Sequence, residues 1–378
     1  MKKRAEIESS GGPSSGKSLR DTGSYDLPQG LERFECDYTL PEGLEWCTCD
    51  LTVEECCADV CDLLMCVAQE LRGDRFVMDF TTDYLRWLCC PPGYILGLHI
   101  GVWDRSLGQL VAFISAVPFR VGVKRESSRM AQIRFLTIQS DFRDRIPLDI
   151  AHDEITRRIR SENIHWVVQQ KRMDGPAPMA FQVWERYLDS RKLFMLGALK
   201  NANMSLPEIV DFHKLPSSSD IQGYEVLNAS HVRPLTGLLN ACVHKFAIKP
   251  EFDEETVKHW FFPKADLLHS YVYTGNDGSI TRFCSFLTLR EFRADTEVKL
   301  AYSLYNFSVW SPFQELMRDA IILARENHCD LFCACDVMGY RSFLAELNFT
   351  PISLHVQYYF NLDGISGLNP DDIGLVLF

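Results

Sequence analysis

One order of secondary-structure elements is written twice along this chain. Leu98–Trp103 and Leu110–Pro118 read as strands about a turn at Ser106-Leu107-Gly108, and a third strand, Gln132–Ile138, follows with the same β-branched and aromatic content. Next come a short basic segment, Arg143-Asp144-Arg145, and Pro147, which a first helical turn tolerates. Ile150, Ile155 and Ile159 then recur at helical spacing, and Ile164–Gln169 reads as a strand. Far downstream, Ser270–Thr274 and Ile280–Leu289 flank Gly275-Asn276-Asp277-Gly278, whose residues favour a tight hairpin turn. A strand at Lys299–Tyr305, a helix from about Pro312 to Glu326 and a strand at Asp330–Cys335 complete the second copy. Both copies run hairpin, strand, helix, strand. Their helix ends also read alike, Arg160-Ser161-Glu162-Asn163 against Arg325-Glu326-Asn327-His328. The expected fold class is therefore mixed α/β, two halves from an internal duplication, joined near Asn201 to Pro216.

Outside the repeat the chain is simpler. Residues 1–30 are polar and rich in Ser, Gly, Lys and Arg, and read as a flexible tail. Val53, Cys57, Val60, Leu64, Val67 and Leu71 recur at helical spacing, with Thr52 and Glu55 placed for a capping box. Tyr84, Trp87 and Leu88 suggest a short helix stopped by Pro91-Pro92-Gly93. Nine of the fourteen cysteines lie between Cys36 and Cys90. With no hydrophobic run behind Met1-Lys2-Lys3-Arg4, the start reads against a signal peptide, so thiols in a reducing, cytoplasmic setting are expected. Cys47, Cys49, Cys56 and Cys57 do not have the spacing of a zinc ligand set, and no metal is expected. The net charge of −12 argues against general nucleic-acid or anionic-membrane binding and suits basic peptides. No apolar run is long enough to span a membrane.

The first copy holds the one chemical signal of the repeat. A strand, a basic turn and a helix N-terminus form an anion site, because unpaired main-chain N–H groups and the helix dipole both favour phosphate. The second copy opens its helix at Trp310-Ser311-Pro312 without a basic turn.

Tyr38-Thr39-Leu40-Pro41-Glu42-Gly43, Gly108 to Pro118, Phe135-Leu136, Glu154-Ile155-Thr156-Arg157-Arg158, Lys258 to Pro263, Ala301 to Asn306, Leu316 to Ala320, Gln357-Tyr358-Tyr359 and the ending Ile373 to Phe378 follow one another in a known order. In these pieces the chain resembles the N-myristoyltransferases over residues 38–378. The resemblance implies two acetyltransferase-like halves around a continuous, saddle-shaped mixed sheet. Residues 31–205 would hold the acyl-CoA, and residues 206–378 the peptide, with the C-terminus returning to the active site. It implies transfer of a tetradecanoyl group from myristoyl-CoA, a co-substrate rather than a resident cofactor, to the N-terminal glycine of a protein by a monomeric enzyme. The main-chain N–H groups of Phe135 and Leu136 would stabilise the oxyanion, and the terminal carboxylate, on Phe378, would be the base. The coenzyme would lie along Leu136, Thr137 and Ile138 and the turn Arg143, Asp144, Arg145, Ile146, Pro147 and Leu148.

The site-like positions depart from the family. Its coenzyme turn reads Arg-Ser-Lys-Arg-Val-Ala-Pro, where this chain has Arg143-Asp144-Arg145-Ile146-Pro147-Leu148-Asp149. Its Tyr, Asn and Thr around the substrate glycine match Phe80, Arg134 and Gln170, and a peptide-side His becomes Glu185. Its acidic loop is thinned to Glu70 and Asp74, with Arg72 between. The alternative expectation is thus a related binding or scaffold protein with impaired transfer.

Overall fold

The computed structural model describes residues 27–36, 38–70, 77–174, 179–199, 204–216, 223–293, 295–309, 312–362 and 367–377. In chain order the first run comprises β1 (Leu31–Arg33), β2 (Leu44–Cys49), α1 (Glu54–Glu70), β3 (Val77–Met78), α2 (Thr82–Cys89), β4 (His99–Asp104), β5 (Gln109–Val123), β6 (Glu126–Ile138), α3 (Leu148–Ser161), β7 (Trp166–Asp174) and β8 (Ala180–Tyr187). After α4 (Ser190–Met195) and α5 (Leu206–Phe212) come β9 (Tyr224–Val226), α6 (Val232–Val243), β10 (Ile248–Pro250), α7 (Glu254–Phe261), β11 (Leu268–Thr274), β12 (Ile280–Arg293), β13 (Thr296–Ser303), β14 (Phe307–Ser308), α8 (Phe313–Glu326), β15 (Leu331–Cys335), α9 (Arg341–Leu344) and β16 (Thr350–Asn361).

The strands form one open mixed sheet in the order β1-β2-β4-β5-β6-β7-β16-β8-β15-β13-β12-β11-β9. The repeated plan is present in its connections. The β4–β5 and β11–β12 hairpins are antiparallel, and β6 with β7, and β13 with β15, are parallel pairs joined through α3 and α8. The strand that ends each run crosses over: β8 pairs with β15, and β16 pairs with β7. β8 and β16 then meet antiparallel at the centre, so each run completes the sheet of the other. The sequence reading had neither of these two strands.

Other expectations are corrected in detail. The strand expected to stop at Pro118 continues to Val123. Along β5, pairing with β4 stops at Ser115 and pairing with β10 starts at Val121, so Pro118 lies where that edge of β5 has no strand beside it and a missing N–H is tolerated. Thr52 does not cap α1, which starts at Glu54; its N–H and hydroxyl both donate to Asp50 Oδ1, at 3.0 and 2.7 Å, in the preceding turn. Pro147 sits just before the first helical residue of α3 as its cap.

Cys47, Cys49, Cys56, Cys57 and Cys61 are buried with Leu63, Leu64, Trp87 and Leu88 in the core between α1, α2 and the sheet, where they pack as small apolar side chains. None of the fourteen cysteines is in a disulfide, and among the described residues no cluster of His, Cys, Asp or Glu suits a metal. Across the molecule, α2 docks on α7 through a reciprocal pair. Trp87 Nε1 donates to the His259 carbonyl at 3.2 Å, and His259 Nε2 donates to the Trp87 carbonyl at 2.7 Å. Burial lowers the His259 pKa to about 4, which keeps the ring neutral. No described helix is long and apolar enough to cross a membrane.

Candidate active site

The sheet parts at its middle. β6 and β7 are paired only from Met130–Trp166 to Ile133–Gln169. From Gln170 onward β7 follows β16, with Gln170 opposite Tyr358, while Arg134 to Ile138 keep β5 as their strand neighbour. On β5 the register steps from Ser115–Arg134 to Phe113–Thr137. Ile114 therefore faces two residues, Phe135 and Leu136, which is a β-bulge. Phe135 takes a left-handed conformation at φ 53°. A bulky residue held there costs about 1–3 kcal/mol and persists only where its surroundings enforce it. Here the enforcing contacts are aromatic: the Phe80 ring lies edge-on at 6.1 Å and Phe113 at 6.4 Å. A bulge takes its extra residue out of the regular ladder. With no β7 alongside, this is where main-chain N–H groups can serve a ligand.

The last described residues line the cleft that Arg134, next to the bulge, also lines. Ile373 bridges in parallel to Ile248 of β10, and Gly374 N–H donates to the Ile248 carbonyl at 2.7 Å. A side chain at Gly374 would meet the Phe246 ring at 2.6 Å, so only glycine passes at this point. Leu375, Val376 and Leu377 follow, all buried. Together with Gln132, Arg134, Phe252, Trp260 and Tyr305 they line a cleft of about 620 Å³, part of it open to solvent. Phe378, expected to carry the base, lies outside the described residues.

The three expected amine-site positions and the peptide-side Glu185 are not all in this cleft lining. Arg134 is: its guanidinium donates to Gln132 Oε1, and burial pushes its pKa down to about 10, so it stays charged at neutral pH. Phe80 reaches the bulge through Phe135. Gln170 sits across the parted strands, its Oε1 buried without a hydrogen-bond partner. Glu185 lies in β8, opposite Cys333 and Thr350, away from the cleft lining. Tyr305 and Tyr358, given no site role by the sequence, both bond through their hydroxyls to the last described residues, Gly374 to Leu377.

Below the bulge, Leu136, Thr137 and Ile138 line a small apolar cleft with Trp46, Gly101 and Ala151. The chain then turns at Ser140–Phe142, pinned by the buried Phe142 and Ile146. Arg143, Asp144, Arg145, Pro147 and Leu148 are exposed around it. Arg145 lies over the Phe142 ring at 5.2 Å. Asp149 occupies the start of α3, its carboxylate accepting the Ile150 N–H at 3.1 Å. Behind the turn, Glu154 is fully buried and holds Arg157 and Arg158 at 2.8 and 2.7 Å. Burial alone would raise its carboxyl, but the hydrogen bonds and charges of the two arginines outweigh this and hold it below the usual carboxylate value.

Glu70, expected in an acidic peptide-side loop, instead reaches this turn. It accepts the Ser140 N–H at 3.1 Å and lies 3.4 Å from Arg143 Nη2. The turn thus already holds an anion, a carboxylate of the chain itself. Arg72 and Asp74 fall outside the described residues.

Known proteins share this architecture. Residues 32–181 match the model of the myristoyl-CoA:protein N-myristoyltransferase N-terminal domain, and residues 198–376 that of its C-terminal domain. A glycylpeptide N-tetradecanoyltransferase 1 of Arabidopsis thaliana is 34% identical over 361 residues, 93% of this chain and 80% of that protein. A glycylpeptide N-tetradecanoyltransferase 2 of Danio rerio is 33% identical over 80% of this chain, which spans 63% of that protein's length, less than two thirds. Among solved structures, Saccharomyces cerevisiae N-myristoyltransferase with bound myristoyl-CoA superposes with a TM-score of 0.82 at 24% identity, over 94% of this chain and 89% of that one, a likeness of fold.

Proposed function

The chain belongs to the myristoyl-CoA:protein N-myristoyltransferase family, and from that premise we propose that it transfers a tetradecanoyl group from its coenzyme A thioester to the N-terminal glycine of a protein. One observation carries the reading. Arg134, the residue before the Phe135–Leu136 bulge, and Leu375–Leu377, the residues before Phe378, line the same cleft.

In this reading the thioester carbonyl lies against the N–H groups of Phe135 and Leu136. The terminal carboxylate, on Phe378, removes a proton from the substrate ammonium. The amine attacks the carbonyl, and the two N–H groups stabilise the oxyanion that forms. Collapse of the tetrahedral intermediate forms the amide and expels the coenzyme thiolate, which takes up a proton. Residues 31–205 carry the acyl-CoA, along Leu136 to Ile138 and the turn at Arg143 to Leu148. Residues 206–378 carry the peptide beside Phe80, Arg134 and Gln170, with Glu185, outside the cleft lining, left to peptide positions further from the glycine. The fourteen thiols suit a reducing compartment, and we assign a monomer in the cytoplasm.

Incubation with tetradecanoyl-CoA and an octapeptide of the Gly-Ser/Lys type is expected to yield acyl-peptide and free coenzyme in equal amounts. Calorimetry run in parallel separates the alternatives: both ligands bound with no turnover would leave a binding protein, and neither ligand bound would remove both readings.

Glu70 competes with the coenzyme phosphates for Ser140 N–H and Arg143. Replacing one half-exposed carboxylate near an anion should be worth roughly 1 kcal/mol. Glu70→Gln is therefore expected to tighten tetradecanoyl-CoA about fivefold, with a smaller gain for the more exposed Asp144→Ser. Unchanged or weaker affinity in Glu70→Gln would mean that the carboxylate supports the turn rather than competes for it.

A further inference from the structure

The last described residues run buried through the cleft with no strand beside them beyond the single bridge at Ile373. A buried main chain still needs partners for every N–H and C=O. Two phenols from distant parts of the second run supply them. Tyr305, just after β13, accepts the Val376 N–H at 2.9 Å and donates to the Gly374 carbonyl at 3.3 Å. Tyr358, in β16, accepts the Leu377 N–H at 3.1 Å and donates to the Leu375 carbonyl at 3.3 Å. The two bridges have the same form: one hydroxyl spans a carbonyl and the N–H two residues on. In extended chain those two groups point to one side, and the pair one residue later points to the other. Each hydroxyl thus does what a neighbouring strand would do, and the two act on opposite edges of the segment.

Both rings are fixed in turn. Tyr305 packs edge-on to Phe252 at 5.5 Å and Phe261 at 5.9 Å. Tyr358 packs against Phe181 at 4.9 Å and Phe360 at 6.1 Å. Burial raises both phenols above their ordinary pKa, so each remains a protonated donor through the working range.

We propose that Tyr305 and Tyr358 are positioning residues, a two-sided hydroxyl clamp that fixes the path of Gly374–Leu377 through the cleft. The proposal rests on the transferase reading for its catalytic consequence, though not for the clamp itself. Tyr358 holds the N–H of Leu377, the residue next to Phe378, and governs that position more directly than Tyr305. A misplacement near 1 Å of a reacting group costs about 10²-fold.

Tyr305→Phe and Tyr358→Phe keep the ring and its packing and remove only the hydroxyl. Tyr358→Phe is expected to lower kcat 10- to 100-fold with KM for tetradecanoyl-CoA unchanged, Tyr305→Phe to lower it less, and the pair to lower it by less than the product, since both hold one segment. Hydrogen exchange of the C-terminal peptide, followed by mass spectrometry, provides a reading that needs no turnover. Exchange should rise in the variants over residues 374–377 and not elsewhere. Unchanged exchange there, or a rise spread evenly over the chain, would overturn the clamp, as would unchanged kcat in a wild-type enzyme that transfers. A wild-type protein that transfers nothing would remove the transferase reading, while localised exchange in the variants would still support the clamp.

Discussion

Two residues added after Phe378 are expected to lower kcat for acyl transfer by about 10²–10⁴-fold, the usual contribution of a well-placed general base. The addition converts the carboxylate of Phe378 into a neutral amide and moves the new carboxylate some 6–7 Å along the chain. Ile373 to Leu377 are already held, through Ile248, Tyr305 and Tyr358, so the segment cannot slide back to restore the charge. Replacing the side chain instead, as in Phe378→Leu, should leave kcat within about threefold, because the proposed base is main-chain chemistry. Binding of tetradecanoyl-CoA should be equal in all three proteins. An extended protein as active as the parent would take the carboxylate out of the mechanism.

Deleting Phe135 should have a comparable effect through the other half of the site. The register is Ser115–Arg134 before the bulge and Phe113–Thr137 after it. Removing one residue lets Leu136 face Ile114 in a regular ladder, with the pairing on either side unchanged. The left-handed residue disappears, and about 1–3 kcal/mol of strain goes with it. Loss of the Phe135 ring from its place against Phe80 and Phe113 offsets that gain. The melting temperature should therefore move little, while the N–H groups that would face the thioester return to the sheet. Loss of an oxyanion donor lowers kcat about 10²–10³-fold. A deletion variant that unfolds leaves Phe135→Gly as the control, since glycine keeps the bulge at φ 53° and should keep transfer. A folded deletion variant that transfers within about threefold of the parent would place the oxyanion donors elsewhere.

The legible parts of the fold were those written in short-range spacing. The Asn276-Asp277-Gly278 turn closes its hairpin with Gly278 at φ 79°, as its residue types require. α3 begins at Leu148 and carries Ile155 and Ile159 fully buried, as their period demands. Pro118 misled because its effect depends on whether a strand lies along that edge of β5, and that neighbour, β10, is more than a hundred residues away. Thr52 misled for a different reason: Asp50, two residues back, accepts both its N–H and its hydroxyl, and α1 starts one residue later than a cap at Thr52 requires.

The candidate site was legible in membership more than in arrangement. Phe135 and Leu136 could be named from the resemblance, but nothing in Arg134-Phe135-Leu136-Thr137 announces a bulge. It arises from how two long strands divide their register around Ile114. Glu70 reads as part of an acidic loop, and nothing in its local sequence says that at the end of α1 it meets Ser140 and Arg143, some seventy residues on.

By itself, the sequence determined the order of elements within each repeat, the repetition, and the membership of a family whose motifs recur in order along the chain. These follow from contacts between residues two to four apart, which propensity, turn chemistry and periodicity encode directly. Only the tertiary structure decided that β8 and β16 exchange between the two runs, that the sheet parts after Ile133, and that two tyrosine hydroxyls hold the end of the chain beside Arg134. Those features pair groups up to some two hundred residues apart. Their energies depend on which partner packing brings within 3 Å, a quantity that local spacing does not contain.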